Sequence, residues 1–91
     1  MANVVVTLKI MPAGTEINLE KIRIDADAII KKHGGEVGKV EIEPVAFGLN
    51  ALKLFFVVDE KRGGTDKLEK EISLLPGVES VNVTDVRRAI G

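Results

Sequence analysis

Apolar residues fall on one parity over residues 3–11: Val4, Val6, Leu8 and Ile10 alternate with Val5, Thr7, Lys9 and Met11. A period of two marks a strand with one face on a core. Pro12 ends it, because proline has no N–H for a ladder, and Pro12-Ala13-Gly14 reads as a turn. The period then becomes helical. Leu19, Ile22, Ala26, Ile29, Ile30 and His33 make one stripe over about 19–33. Asn18 stands at the N-cap position, with Glu20 near the positive helix end and Lys31 and Lys32 near the negative one. Gly34-Gly35 stops the helix, one of the two in the left-handed region.

Two strands follow. In the first, about 37–45, Val40 and Ile42 alternate with Lys39, Glu41 and Glu43. In the second, about 50–59, Leu52, Leu54, Phe56 and Val58 alternate with Lys53, Phe55, Val57 and Asp59. Pro44 to Asn50 joins them as a loop or a hairpin with a broad tip. After a polar loop, Thr65 caps a second helix whose buried stripe is Leu68, Ile72 and Leu75, and Leu75-Pro76-Gly77 terminates it. The last strand is 78–86, with Val81 and Val83 inward, and residues 87–91 form a tail.

Each strand has one apolar face and each helix one stripe, so both helices must cover the same side of one sheet. The arrangement that does this with right-handed crossovers is a ferredoxin-like α+β sandwich, βαββαβ, its antiparallel sheet ordered 4-1-3-2. Alternation, rather than continuous apolar runs, agrees with a sheet covered on one side only. Ninety-one residues suffice for one domain, expected to span 1–91.

Composition removes several classes of function. The chain has no cysteine, which excludes disulfides, zinc–thiolate sites and thiol catalysis. No apolar run nears the roughly 20 residues that cross a bilayer, and the start is unlike a signal peptide. The expected location is the cytosol, away from membranes. Thirteen Lys and Arg against fourteen Asp and Glu give a net charge of −1, and the only aromatics are three Phe. Nucleic-acid binding draws on a basic excess or on stacking aromatics, so no direct nucleic-acid partner is expected.

Catalytic chemistry has little to build on. His33 is the only histidine, and at a helix end it complements the dipole. Asp25 and Asp27, two apart on a helix, point to different sides. Asp59-Glu60 with Asp66 can converge on a cation only through a loop and lacks calcium-loop spacing. Lys61-Arg62-Gly63-Gly64-Thr65 opens a helix but lacks phosphate-loop spacing. No cofactor and no metal site are expected. The sheet face away from the helices carries Val5, Phe55 and Val57, a small apolar patch or ordinary surface. Two features remain. Phe47 lies at a loop tip beside Gly48, and either docks into a partner or folds over one end of the core. Arg87-Arg88 follow the last strand, and either reach a partner's phosphates or carboxylates or belong to a frayed terminus.

Pro44-Val45-Ala46-Phe47-Gly48-Leu49, followed by a long hydrophobic strand, resembles a segment of the translation elongation factor 1-beta family. Gly63-Gly64-Thr65-Asp66, Val78-Glu79-Ser80-Val81-Asn82-Val83 and the opening Val6-x-x-Lys9-Ile10-Met11-Pro12 resemble the same family in the same order, the last its archaeal branch. The resemblance implies a guanine-nucleotide exchange factor rather than an enzyme. The implied partner is the GDP-bound GTPase elongation factor 1-alpha, met by a protein that is monomeric when free. It implies that Phe47, with Gly48, packs on the GTPase. It also implies that Arg88 or Arg87 approaches the Mg²⁺ and phosphate region, where eukaryotic relatives carry a lysine. A regulatory domain of the same fold, binding a small molecule and dimerising through its sheet, is the alternative.

Overall fold

The computed structural model describes residues 3–59 and 65–89. The elements are β1 (Asn3–Pro12), α1 (Leu19–Lys32), β2 (Glu36–Pro44), β3 (Asn50–Asp59), α2 (Asp66–Ser73) and β4 (Val78–Ala89). The sheet order is β2-β3-β1-β4 with all neighbours antiparallel, which is the expected 4-1-3-2 order read from the other edge.

The core lies between the sheet and the helices. Val6, Leu8 and Ile10 of β1 and Leu52, Leu54 and Phe56 of β3 are buried, as are Ile22, Ala26 and Ile30 of α1 and Leu68 and Ile72 of α2. Removing the Phe56 side chain would cost about 3–5 kcal/mol, because transfer and cavity costs add. Leu75 lies just beyond α2 and packs on this core from outside, as do Val81 and Val83 of β4.

Asn18 caps α1 as its sequence position requires: Glu20 N–H donates to Asn18 Oδ1 at 2.9 Å and Lys21 N–H at 3.4 Å. Thr65 holds the cap position of α2 but does a different job. Its hydroxyl donates to Glu69 Oε2 at 2.7 Å, one turn on, and accepts nothing from the helix backbone. Gly34 takes φ 84°, the left-handed value expected at the end of α1. Gly35 is required for a different reason: a Cβ there would stand 2.7 Å from Ile30 Cγ2 and 2.8 Å from Val58 Cγ1.

The main departure from expectation is β4. It does not stop at 86 but runs to Ala89, so Arg87 and Arg88 belong to a strand and not to a tail. Arg87 pairs with Val5 and Arg88 with Val4 of β1. The sequence disguised this because the alternation breaks at a bulge. Leu8 faces Val83 and Thr7 faces Asp85, leaving Thr84 as the extra residue. Beyond it the parity reverses. Val81 and Val83 share the helix side with Leu8 and Ile10, whereas past the bulge Val86 and Arg88 take that side and Asp85 and Arg87 the open side.

Candidate partner-docking site

The β2–β3 hairpin closes at Pro44 opposite Asn50. Val45 N–H donates to Leu49 O at 2.8 Å, and Leu49 N–H to Ala46 O at 3.1 Å. The inner bond makes Ala46 to Leu49 a four-residue turn with Phe47 and Gly48 at its centre. Their φ angles are 58° and 75°. Two left-handed central residues suit the twist of a hairpin, but the usual occupants are Asn-Gly or Asp-Gly. A bulky aromatic at positive φ is strained by about 1 kcal/mol or more. Phe47 is also 95% exposed, so it does not fold over the core. The hairpin tip lies beside the β1–α1 loop, where Thr15 Cγ2 would be 3.7 Å from a Cβ on Gly48. Gly77 closes the same end: Ala13 N–H donates to its carbonyl at 2.8 Å.

Arg87 and Arg88 stand at the opposite end of the sheet. Arg87 faces Val5, which faces Val57, and Asn50 beside the hairpin lies seven residues down β3 from Val57. At about 3.3 Å per residue the two regions are about 23 Å apart. Phe47 and the arginines are therefore not one constellation but the two ends of a body 42 Å long. The Arg87 Nε–H donates to Asp85 Oδ2 at 2.8 Å on the open face. Arg88 is exposed on the helix side of the strand. The parity break at Thr84 decides which arginine takes which face.

The open face is not an apolar surface. Val5, Phe55 and Val57 are each half-buried. Lys39 Nζ and Lys53 Nζ stand 5.5 and 5.8 Å from the centre of the Phe55 ring. Glu43 lies 3.5 Å from Lys9 and 3.3 Å from Lys53, and Lys39 pairs with Glu41 at 2.8 Å. The hydrogen bond from Lys53, with Lys9 nearby, holds Glu43 below the usual carboxylate range. Lys39 does the same for Glu41. Phe55 thus sits inside a Lys–Glu lattice, which suits neither an RNA base nor an apolar dimer contact.

His33 caps α1 and also joins the helices. Its Nε2 and the Lys32 ammonium both meet the Glu71 carboxylate of α2. Those two contacts, His33 first, hold Glu71 below the usual carboxylate range. This is a structural tie between helices, a role that a single-sequence pattern could not reveal because the partners lie 38 positions apart. Among the described residues no group of three His, Asp or Glu side chains could hold a metal ion. The candidates at Glu60 and at Lys61 to Gly64 lie outside the described residues, as do Ile90 and Gly91. A shallow pocket of 170 Å³ is bordered by Asn3, Gly34, Glu36, Val57, Val58 and Asp59, and its two carboxylates oppose binding of a phosphate. Among the described residues no helix is long and apolar enough to cross a membrane.

The chain is thus an antiparallel α+β sandwich with an exposed aromatic at one end, two arginines at the other and a salt-bridged face between them. Residues 5–89 match the EF-1 guanine nucleotide exchange domain, and the chain belongs to that family. It is 43% identical over 90 residues to elongation factor 1-beta of Methanococcoides burtonii, covering 99% of this chain and 100% of the relative. Against elongation factor 1-beta of Methanobrevibacter smithii the figures are 42% over 88 residues, 97% and 98%. The function is that of the family: guanine-nucleotide exchange on elongation factor 1-alpha, not enzymatic turnover. The crystal structure of the ACT domain from GTP pyrophosphokinase of Chlorobium tepidum superposes with a TM-score of 0.61, at 13% identity, over 89% of this chain and 97% of that one. At that identity the likeness concerns the ferredoxin-like fold alone.

Proposed function

We propose that residues 1–91 act as one exchange domain that grips GDP-bound elongation factor 1-alpha at two points, in the cytosol and as a monomer when free. Phe47, presented by Gly48, is the anchor. Arg87 and Arg88 supply positive charge at the phosphate end. The observation that carries this reading is the conformation of Phe47. A strained backbone that exposes a large apolar side chain is costly in the free protein, and docking into a pocket offsets that cost.

The physics of exchange follows. Mg²⁺ in a GTPase bridges the phosphates and neutralises their charge. A guanidinium brought there competes with the cation for the same oxygens and binds phosphate through parallel hydrogen bonds. The metal would be displaced, and one positive charge in place of two would hold the nucleotide less tightly. By linkage, the factor weakens GDP by the same ratio that GDP weakens the factor. A thousandfold effect needs about 4 kcal/mol of coupling. The 23 Å between the two ends gives the anchor its purpose: fixing one end turns approach of the other into an intramolecular step.

The test is release of a fluorescent GDP from elongation factor 1-alpha with substoichiometric amounts of the protein. Acceleration is expected, with large losses in Phe47→Ala and in the Arg87→Ala, Arg88→Ala double variant, both still folded. Full exchange in both variants would overturn the residue assignment.

A further inference from the structure

We propose that the GTPase contact does not end at Phe47 but continues through Val45 of the hairpin loop onto the helix side of β2, along Pro44 and Ile42 to Val40. This rests on the reading above that Phe47 docks on elongation factor 1-alpha. Val40, Ile42 and Pro44 share one parity, the helix side of the sheet. On β3 the same side is sealed: Leu52, Leu54, Phe56 and Val58 are at most 7% exposed. On β2, Val40 is 37% exposed and Ile42 51%, and Val45 beyond the strand is 44% exposed. Pro44 and Ala46 are exposed as well, so the exposed stretch from Pro44 leads along the chain to Phe47.

The helix beside the strip does not close it. α1 meets α2 through Lys32 and His33, so its other flank borders β2. By helical spacing that flank carries Glu20, Arg23, Asp27 and Lys31. Their charges are tied along the helix, Arg23 to Glu20 and Lys31 to Asp27 at 3.4 Å. The result is an apolar floor with a charged wall, the composition of an interface core and its rim.

Two observations select the occupant. β2 is bulged between Val37 and Lys39 and ends on Pro44, and both features discourage addition of another strand, so the contact is made by side chains. The strip is also far smaller than the roughly 800 Å² per partner of a stable dimer. A second copy held here alone would not stay. The GTPase, engaged at Phe47 and at the arginine end as well, needs only part of its footprint from this strip.

The experiment is a titration of GDP release in Ile42→Asp and Val45→Asp, with Phe47→Ala alongside and thermal melting to confirm folding. Each Asp variant is expected to raise the half-maximal concentration about tenfold while the rate at saturation persists. Val45 lies in the loop, so Val45→Asp decides if Ile42→Asp fails to fold. Unchanged half-maximal concentrations in the folded variants overturn the proposal. If Phe47→Ala alone is defective, the strip is excluded and the Phe47 reading stands. If both Asp variants are defective and Phe47→Ala is not, the strip stands and the Phe47 reading falls. Sedimentation showing a wild-type dimer that Ile42→Asp dissociates would make a second copy the occupant and also overturn it.

Discussion

On the proposed reading, the hairpin end and the arginine end of the sheet use different physics to meet a partner. At the hairpin end the backbone does the positioning. Phe47 and Gly48 hold left-handed conformations between two backbone hydrogen bonds, and Gly77 locks the adjoining turn. One rigid aromatic is presented, with little conformational freedom to lose on docking. At the arginine end the side chains do the work. Arg87 is a long exposed cation on a strand, held by a surface pair with Asp85 of a kind that contributes about 0–1 kcal/mol. Its charge can be redirected cheaply towards a stronger anion. A rigid apolar anchor sets affinity, whereas a redirectable charge sets how strongly the outcome depends on salt.

The largest expected effect breaks the anchor without harming the fold. Phe47→Asn installs Asn-Gly, the pair that this turn geometry favours. The melting temperature is expected to rise, by relief of about 1 kcal/mol of strain. Exchange efficiency should fall by about 30–100-fold, the loss of a hot-spot aromatic worth about 2–3 kcal/mol. Opposite signs in the two measurements would show that the strain is retained for function. A lower melting temperature would mean that the Phe47 ring supports the fold instead.

The next effect concerns the backbone beneath the anchor. Gly77 has φ 86°, and a Cβ there would stand 2.8 Å from Ile17 Cγ2. Gly77→Ala is expected to cost about 2 kcal/mol, seen as a lower melting temperature, because strain and crowding add. Gly38 is the internal control. It sits at the β2 bulge, where a Cβ would meet nothing nearer than Phe55 O at 3.9 Å and the φ is not left-handed. Gly38→Ala should stabilise by about 0.5 kcal/mol through the unfolded chain. Equal effects at both positions would contradict the view that the Gly77 turn, unlike the β2 bulge, depends on a left-handed backbone.

The arginine end should respond more weakly and with salt. Arg87→Ala and Arg88→Ala are each expected to slow exchange about tenfold at low ionic strength, about 1.4 kcal/mol. The gap should narrow as salt screens the wild type. Comparing GDP release across a salt series with Phe47→Ala, whose deficit should stay nearly constant, separates the two ends. A deficit in Arg87→Ala and Arg88→Ala that ignores salt would argue for lost packing instead.

How much of this was legible beforehand depended on whether the signal was local. The periods of Val4 to Ile10 and of Leu52 to Val58 defined the central strands, and Asn18 and Gly34 marked the helix ends, since each depends on neighbours in sequence. Three features were not local. The bulge at Thr84 reversed the strand parity and hid Arg87 and Arg88 in an apparent tail, although pairing with Val5 and Val4 orders both. The exposure of Ile42 follows from β2 being an edge strand, and its own alternation reads like that of a buried one. The positive φ of Phe47 had only Gly48 as a hint. An aromatic-glycine pair seldom marks such a turn, and only the 95% exposure of the ring excludes folding back over the core, leaving docking as the proposal.

The smallest effect tests the tie between the helices. His33 and Lys32 stabilise the ionised form of Glu71 and hold it below the usual carboxylate range. A carboxylate whose folded value is depressed contributes stability that is fully present above its unfolded value and is lost as pH falls through the folded one. Glu71→Gln removes that contribution. The wild type should therefore melt slightly above Glu71→Gln at neutral pH, and the two curves should converge on acidification as the carboxyl protonates. Neither exchange at neutral pH nor its salt dependence should change, because the proposed contacts at Phe47, Arg87 and Arg88 do not include Glu71. Convergence without any change in exchange would keep the helix layer as scaffold. A shift in exchange with Glu71→Gln would mean instead that the α1–α2 contact helps to set the position of one of the two ends.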